Sequence, residues 1–120
     1  MKLTYETKEK IGKIRPALVA TADKTGKPNV SPKGSLRALD DEHLLFADIS
    51  SPRTINNLRE NPQIAIICLD ADEKGGCRIW GNAEVIGSGP LFLQESKKFS
   101  SKDMKINNIV RIKVIDVEDF

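Results

Sequence analysis

What most constrains this chain is a rhythm of short apolar runs, cut every ten residues or so by glycine, proline and aspartate. Runs of that length suit strands, and the clusters between them suit turns. Ala17 to Ala22 reads as a first strand, Asp23-Lys24-Thr25-Gly26-Lys27-Pro28 as a turn, and Asn29 to Ala38 as the returning arm of a hairpin. A turn at Asp40-Asp41-Glu42-His43 leads to a third strand over Leu44 to Ile49, and Gln63 to Leu69 is a strongly β-branched fourth. After a Gly75-Gly76 turn, Cys77 to Val85 alternates as a fifth strand, and Ile109 to Val117 closes as a sixth. Helices are fewer. A polar stretch from residue 4 to 13 ends near Gly12, a short helix follows Ser51, and Leu91 to Lys98 forms a third behind Gly87-Ser88-Gly89-Pro90. That excess of strands with close turns predicts a mainly β, antiparallel barrel.

With 120 residues, a single domain spanning 1–120 is expected, large enough to bury a core without staples. Nineteen Lys and Arg against seventeen Asp and Glu leave a net charge of +2. This gives no electrostatic case for nucleic acid or a membrane surface, so an anionic ligand needs a local site. A nucleic-acid barrel also wants a basic groove lined with aromatics, and the few aromatics here are scattered. Cys68 and Cys77 lie in apolar strand-like runs without metal-ligand spacing, and the N-terminus lacks the apolar core of a signal peptide. A reduced, cytoplasmic protein is the expectation.

Ser51-Pro52-Arg53-Thr54 reads as an anion-binding helix start. Ser51 suits the N-cap and Pro52 the first helical position, where a missing amide proton costs nothing. The amides of Arg53 and Thr54 then have no partner inside the helix, and they stand beside a guanidinium, a hydroxyl and the positive end of the helix dipole. Asn61 before Pro62 supplies the stop. Surface helices also begin this way without holding a phosphate, so context decides.

Two strand details supply context. In the fifth strand Ile79, Gly81, Ala83 and Val85 face one way, leaving Trp80 on the polar face with Arg78, Asn82 and Glu84. An indole there points to a subunit interface or a planar ligand. In the second strand Pro32 cannot donate to a ladder, which implies an edge, a bulge or a strand end. Amides near Ser31, Lys33 and Gly34 are then expected to be free for a ligand.

The order of these pieces carries a resemblance. The Gly-Lys-Pro turn, Asn29-Val30-Ser31-Pro32-Lys33, Phe46-Ala47-Asp48, Ser51-Pro52-Arg53-Thr54, Asn57 to Pro62 and Arg78 to Val85 together resemble the pyridoxamine 5′-phosphate oxidase-like, FMN-binding split-barrel family. The resemblance spans about residues 10 to 117 and implies a six-stranded antiparallel split β-barrel, a homodimer, and FMN in a groove at the subunit interface. It places the phosphate on Arg53 and Thr54, with Ser31, Pro32 and Lys33 toward the phosphate, ribityl chain or ring edge. Ala47, Asp48 and Ile49 match backbone positions along the ring, Ser51 and Asn57 are further matches, and Trp80 lies on a strand near the dimer groove. Lys33 read by itself is equally a solvated lysine, and Asp48 a turn residue.

The chain stops at Phe120, without the tryptophan- and arginine-bearing C-terminal segment of the vitamin B6 oxidases, so oxidation of pyridoxamine phosphate is not expected. His43, the sole histidine, sits in a turn, so catalytic residues are not identified and any chemistry belongs to the flavin. The expected function is that of a small FMN flavoprotein, an oxidoreductase or electron carrier between a small-molecule or protein donor and acceptor. An F420-binding reductase and a non-catalytic flavin or ligand binder are the alternatives.

Overall fold

In the computed structural model, which describes residues 2–14, 16–72, 74–98 and 105–120, the apolar runs form one antiparallel sheet of seven strands. These are β1 (Ala17–Ala22), β2 (Pro28–Lys33), β3 (Arg37–Ala38), β4 (His43–Asp48), β5 (Gln63–Leu69), β6 (Gly76–Ile86) and β7 (Asn108–Asp119). Helices α1 (Tyr5–Lys13), α2 (Pro52–Glu60) and α3 (Pro90–Ser96) complete the order. The expected second strand is two strands, because the chain turns at Gly34 and Ser35. Ser35 is held in that turn by the Ala47 amide, which donates to its hydroxyl at 2.9 Å.

That turn explains the barrel. The strand order is β2-β1-β5-β6-β7-β4-β3, so β2 and β3 are the two edges of the sheet, yet only residues 34–36 join them. Three residues span little more than about 10 Å. The sheet must therefore roll until its edges nearly meet, a split barrel rather than a flat layer.

Inward residues of every long strand fill the interior, with Val19, Phe46, Ile66, Ile79, Val110 and Ile112 among those fully buried. Ile55 and Leu58 of α2 and Ile11 of α1 pack onto the same cluster. A second cluster lies on the other face of β4, where Leu45 and Ala47 meet Ile109 beneath Leu91 and Phe92 of α3. This is why the run Leu44 to Asp48 is buried without alternation. Glu95 of α3 is buried as well, and its carboxylate accepts from Arg37 of β3 and from Lys98.

The edge strand β2 shows what its prolines do. Asp23 N donates to Lys27 O at 3.1 Å, so alternate residues 27, 29, 31 and 33 exchange ladder bonds with β1. Positions 28, 30 and 32 point to the open edge, and two of them are proline. Pro32 thus marks an edge, as its sequence implies. The expectation of free amides at Ser31 and Lys33 is corrected, since both are turned toward β1. Blunting an edge by removing its donors also guards it against a stray strand.

Helix α1 ends at Lys13, one residue past Gly12, so it stops near that glycine as its sequence suggests. Nothing lies within 4 Å of a Cβ built there. Gly12→Ala is expected to stabilise the fold by about 0.5–1 kcal/mol. A Cβ on Gly81 would meet the Lys113 carbonyl at 2.6 Å, so Gly81→Ala is expected to cost about 1–3 kcal/mol. Urea midpoints that move the other way would contradict both assignments.

Candidate functional site

The candidate site is built where β4 ends and α2 begins. Pro52 enters the first turn of α2 and Ser51 occupies the N-cap position, but its hydroxyl does not cap the helix. It accepts instead from the Lys33 ammonium of β2, and the first amides of α2 are left without that side-chain partner. The Ser51 amide donates to Asp48 Oδ1 at 3.0 Å, and Asn108 Nδ2 donates to Asp48 Oδ2 at 2.9 Å. Asn107 ties the same turn to the start of β7. Its amide donates to the Asp48 carbonyl at 2.9 Å and its side chain to the Ile49 carbonyl at 2.8 Å.

Lys33 and Asp48 are only 7% and 4% exposed. Burial pushes the Lys33 pKa below the ordinary lysine range, and the Asp48 carboxylate partly opposes that shift. The ammonium also stands 5.5 Å from the centroid of the Phe46 ring, within cation–π range. The result is a desolvated cation whose direct partner is a neutral hydroxyl.

Arg53, two positions past Ser51, lines a hollow of about 350 Å³ with Asn56, Asn57 and Glu60 of α2 and Asp23 and Lys27 of the first hairpin. Its carboxylates are already occupied. Asp23 Oδ1 accepts from the Thr25 hydroxyl at 2.7 Å and from the Thr25 and Lys27 amides at 2.8 and 3.0 Å, bonds that lower its pKa. Glu60 Oε2 accepts from the Lys24 amide at 3.2 Å. The Arg53 guanidinium is exposed and has no hydrogen bond or ion pair among the described residues. The hollow therefore offers an unneutralised cation beside a helix N-terminus.

The sheet's two faces divide the other predicted residues. Register places Trp80, Ala65, Ala20 and Val30 in one row across four strands. That row looks outward, with Val30 exposed and Trp80 37% exposed, and Leu18, Pro32 and Ile115 extend it. Ser31 pairs with buried Val19 and so lies on the opposite, inner face, as does Lys33. Trp80 lines a separate hollow of about 510 Å³, and Pro28 borders both hollows. Lys33, Asp48 and Ser51 are thus brought together and Arg53 lies close by, while Trp80 sits on the far side of the sheet.

The remaining predicted residues serve the frame. Asn57 Nδ2 donates to Thr21 Oγ1 at 3.1 Å, fastening α2 to β1, and Thr54 is buried. Ala47 gives its amide to Ser35. Lys27, Asn107 and Asn108 belong to the site but were not foreseen, because only the fold brings a hairpin turn and the start of β7 to α2.

Residues 3–118 match the family model for pyridoxamine 5′-phosphate oxidase. The chain belongs to that family. It is 30% identical over 103 residues to an uncharacterized protein of Methanocaldococcus jannaschii, covering 82% of this chain and 68% of the relative. Group A Streptococcus HupZ is 29% identical, with a TM-score of 0.88 over 98% of this chain and 94% of that one. An FMN-binding protein of Syntrophomonas wolfei shares the fold at 18% identity and a TM-score of 0.77, over 95% and 88% of the two chains. So do an F420 reductase, at 17% and 0.72 over 97% and 98%, and the Vibrio cholerae heme storage protein HutZ, at 19% and 0.67 over 99% and 95%. The mainly β split barrel read from the sequence is the fold of this oxidase-like family, with β3 as an added edge. Among the described residues there is no cluster of potential metal ligands and no helix long and apolar enough to cross a membrane.

The geometry separates frame from ligand contact in this family member. Asp48→Ala strands the Ser51 amide, the Asn108 amide and the Lys33 ammonium together, and is expected to cost about 3 kcal/mol of stability. Arg53→Ala removes an exposed, unpaired side chain and is expected to change stability by less than about 0.5 kcal/mol. Chemical denaturation of the two variants checks this, and comparable losses would contradict it.

Proposed function

We propose that the protein is a small flavoprotein that holds FMN beside the N-terminus of α2 and works as an oxidoreductase or electron carrier. The observation that carries this reading is Arg53, an exposed guanidinium with no salt bridge or hydrogen bond among the described residues, two residues past a helix start whose capping hydroxyl is turned away. A dianionic phosphate matches that donor set. The residues fit the rest of FMN as well, since buried Lys33 supplies a second cation and the apolar Trp80 face a place for a planar ring. When bound, a flavin supplies hydride and single-electron transfer. This chain's part is to bind the phosphate, to orient the ring and to keep water from it.

The Syntrophomonas wolfei neighbour, an FMN-binding protein, supports FMN, and the reductase neighbour raises F420 as the second reading. Asp23 and Glu60 border the Arg53 hollow, and the carboxylates of an F420 tail would lie against them. Heme has less support, because the sole imidazole, His43, binds Asp40 through Nδ1 at 2.9 Å and begins β4, at the end away from Asp48. Free, buried Cys68 and Cys77 suit a reduced cytoplasm.

The visible spectrum of the purified protein, with mass spectrometry of whatever heat releases, tests the cofactor directly. Arg53→Ala is expected to weaken FMN roughly ten- to a hundredfold and riboflavin, which lacks the phosphate, far less. Titration of both ligands into both proteins reads this, and equal losses would assign Arg53 to the fold instead. A protein that neither carries nor binds FMN would overturn the reading.

We propose further that two copies share the flavin. Trp80 and buried Lys33 cannot reach one ligand from opposite faces of one sheet, whereas a second copy brings its outer face to the first copy's site. Dimer and cofactor are then linked, each strengthening the other. Sedimentation of wild type and Trp80→Ala, with and without FMN, is expected to show a dimer that FMN tightens and the substitution weakens. A wild-type monomer that still binds FMN tightly would refute the shared site.

A further inference from the structure

The hairpin of β5 and β6 carries a thiol pair that the proposed flavin site does not use. Cys68 and Cys77 are direct partners in the ladder, both are 0% exposed, and both are free. The Asp70 amide donates to the Gly75 carbonyl at 2.8 Å, so every second pair up the ladder, Cys68–Cys77 included, is a hydrogen-bonded one. Such pairs hold their Cα atoms about 5.5 Å apart. A disulfide spans about 4.4–6.8 Å. Paired across the ladder, their side chains lie on the same face of the sheet.

The neighbouring thiol and burial raise the Cys68 pKa, while Cys68 lowers that of Cys77, which makes Cys77 the first to ionise. Lys10 of α1 favours its thiolate, while Asp119 and Asp70 oppose it. The Lys10 ammonium covers this end of the sheet, donating to the Gly76 carbonyl and to Asp119, each at 3.3 Å. Phe120 closes it through paired backbone bonds with Gly76 at 2.9 and 3.1 Å. The pair therefore lies two ladder positions from a turn, where a sheet opens more readily than at its centre.

We propose that Cys68 and Cys77 form a redox-responsive dithiol, which an oxidant of the peroxide class converts into a cross-strand disulfide. The Cys77 thiolate attacks a peroxide oxygen. Its S–O bond forms as the O–O bond breaks, and the departing hydroxide takes up the Cys77 proton to become water. The Cys68 sulfur then attacks the sulfenic sulfur, forming the S–S bond as the S–O bond breaks, and the Cys68 proton leaves with that oxygen as a second water. Two thiols lose two electrons and the peroxide gains them.

The test adds hydrogen peroxide to the folded protein, alkylates free thiols after denaturation, and reads intact mass and peptides without reductant. We expect the loss of two hydrogens, a linked Cys68–Cys77 peptide pair within one chain, and recovery of both thiols with dithiothreitol. Cys68→Ala and Cys77→Ala should each abolish the linked pair, and circular dichroism of the wild type during oxidation checks that it forms in the folded state. Two alkylatable thiols after treatment, separate sulfinic acids, a bridge between chains, or a bridge formed only in urea would each overturn the proposal and leave the pair as core packing.

Discussion

The Asp48 carboxylate holds the working end of this molecule together. Its two oxygens take a backbone amide from the start of α2 and a side-chain amide from the start of β7, at 3.0 and 2.9 Å. Two consecutive elements, β4 and α2, and the distant β7 thus converge on one buried charge. Because it is buried, each of those donors depends on it, and removing it would strand them all. The orientation of α2 follows, and with it the positions of Ser51 and Arg53. Asn57 reaching Thr21 from the middle of the helix fixes the second point needed to define its axis.

The same geometry makes a single copy an incomplete receptor on the reading proposed above. A strand sends successive side chains to opposite faces, so Lys33 and Trp80 cannot converge within one sheet however it curls. The outward row from Val30 to Trp80, extended by Leu18 and Ile115, exposes apolar surface on strands that are otherwise well paired. Apolar surface gathered into a contiguous patch invites a partner more than the same residues scattered would. The edge of β2 beside it is blunted by Pro28 and Pro32, which favours face-to-face contact over strand addition.

Much of this was legible in the sequence where the physics is local. Alternation along 77–85 gave the two faces of β6, β-branched density gave β5, and Pro52 gave the start of α2. The misses have a common cause. The turn at Gly34-Ser35 was hidden because its stabilising partner, Ala47, lies 12 residues on. Ser51 has the composition of a capping residue, yet a lysine on another strand claims its hydroxyl. Asn107 and Asn108 carry no signal of their own, and they matter only because β7 pairs with β4. Propensity reads what a residue prefers, and tertiary contact decides which preference is met.

Lys33 is where that competition bears on function. Burial works against its ammonium, the neighbouring carboxylate offsets this only in part, and its direct hydrogen-bond partner is uncharged. An apolar side chain of similar length would sit among Phe46 and its neighbours without that desolvation cost. Stability alone therefore does not account for a lysine at this position. On the reading proposed above, an anionic or electron-rich ligand accounts for it, adding to the partial counter-charge that Asp48 supplies. Arg53 complements it from the solvent side, exposed and cheap to maintain, where it can meet an incoming phosphate first. A buried cation set by the frame and an exposed one free to move divide between them the tasks of fixing a ligand and of capturing it.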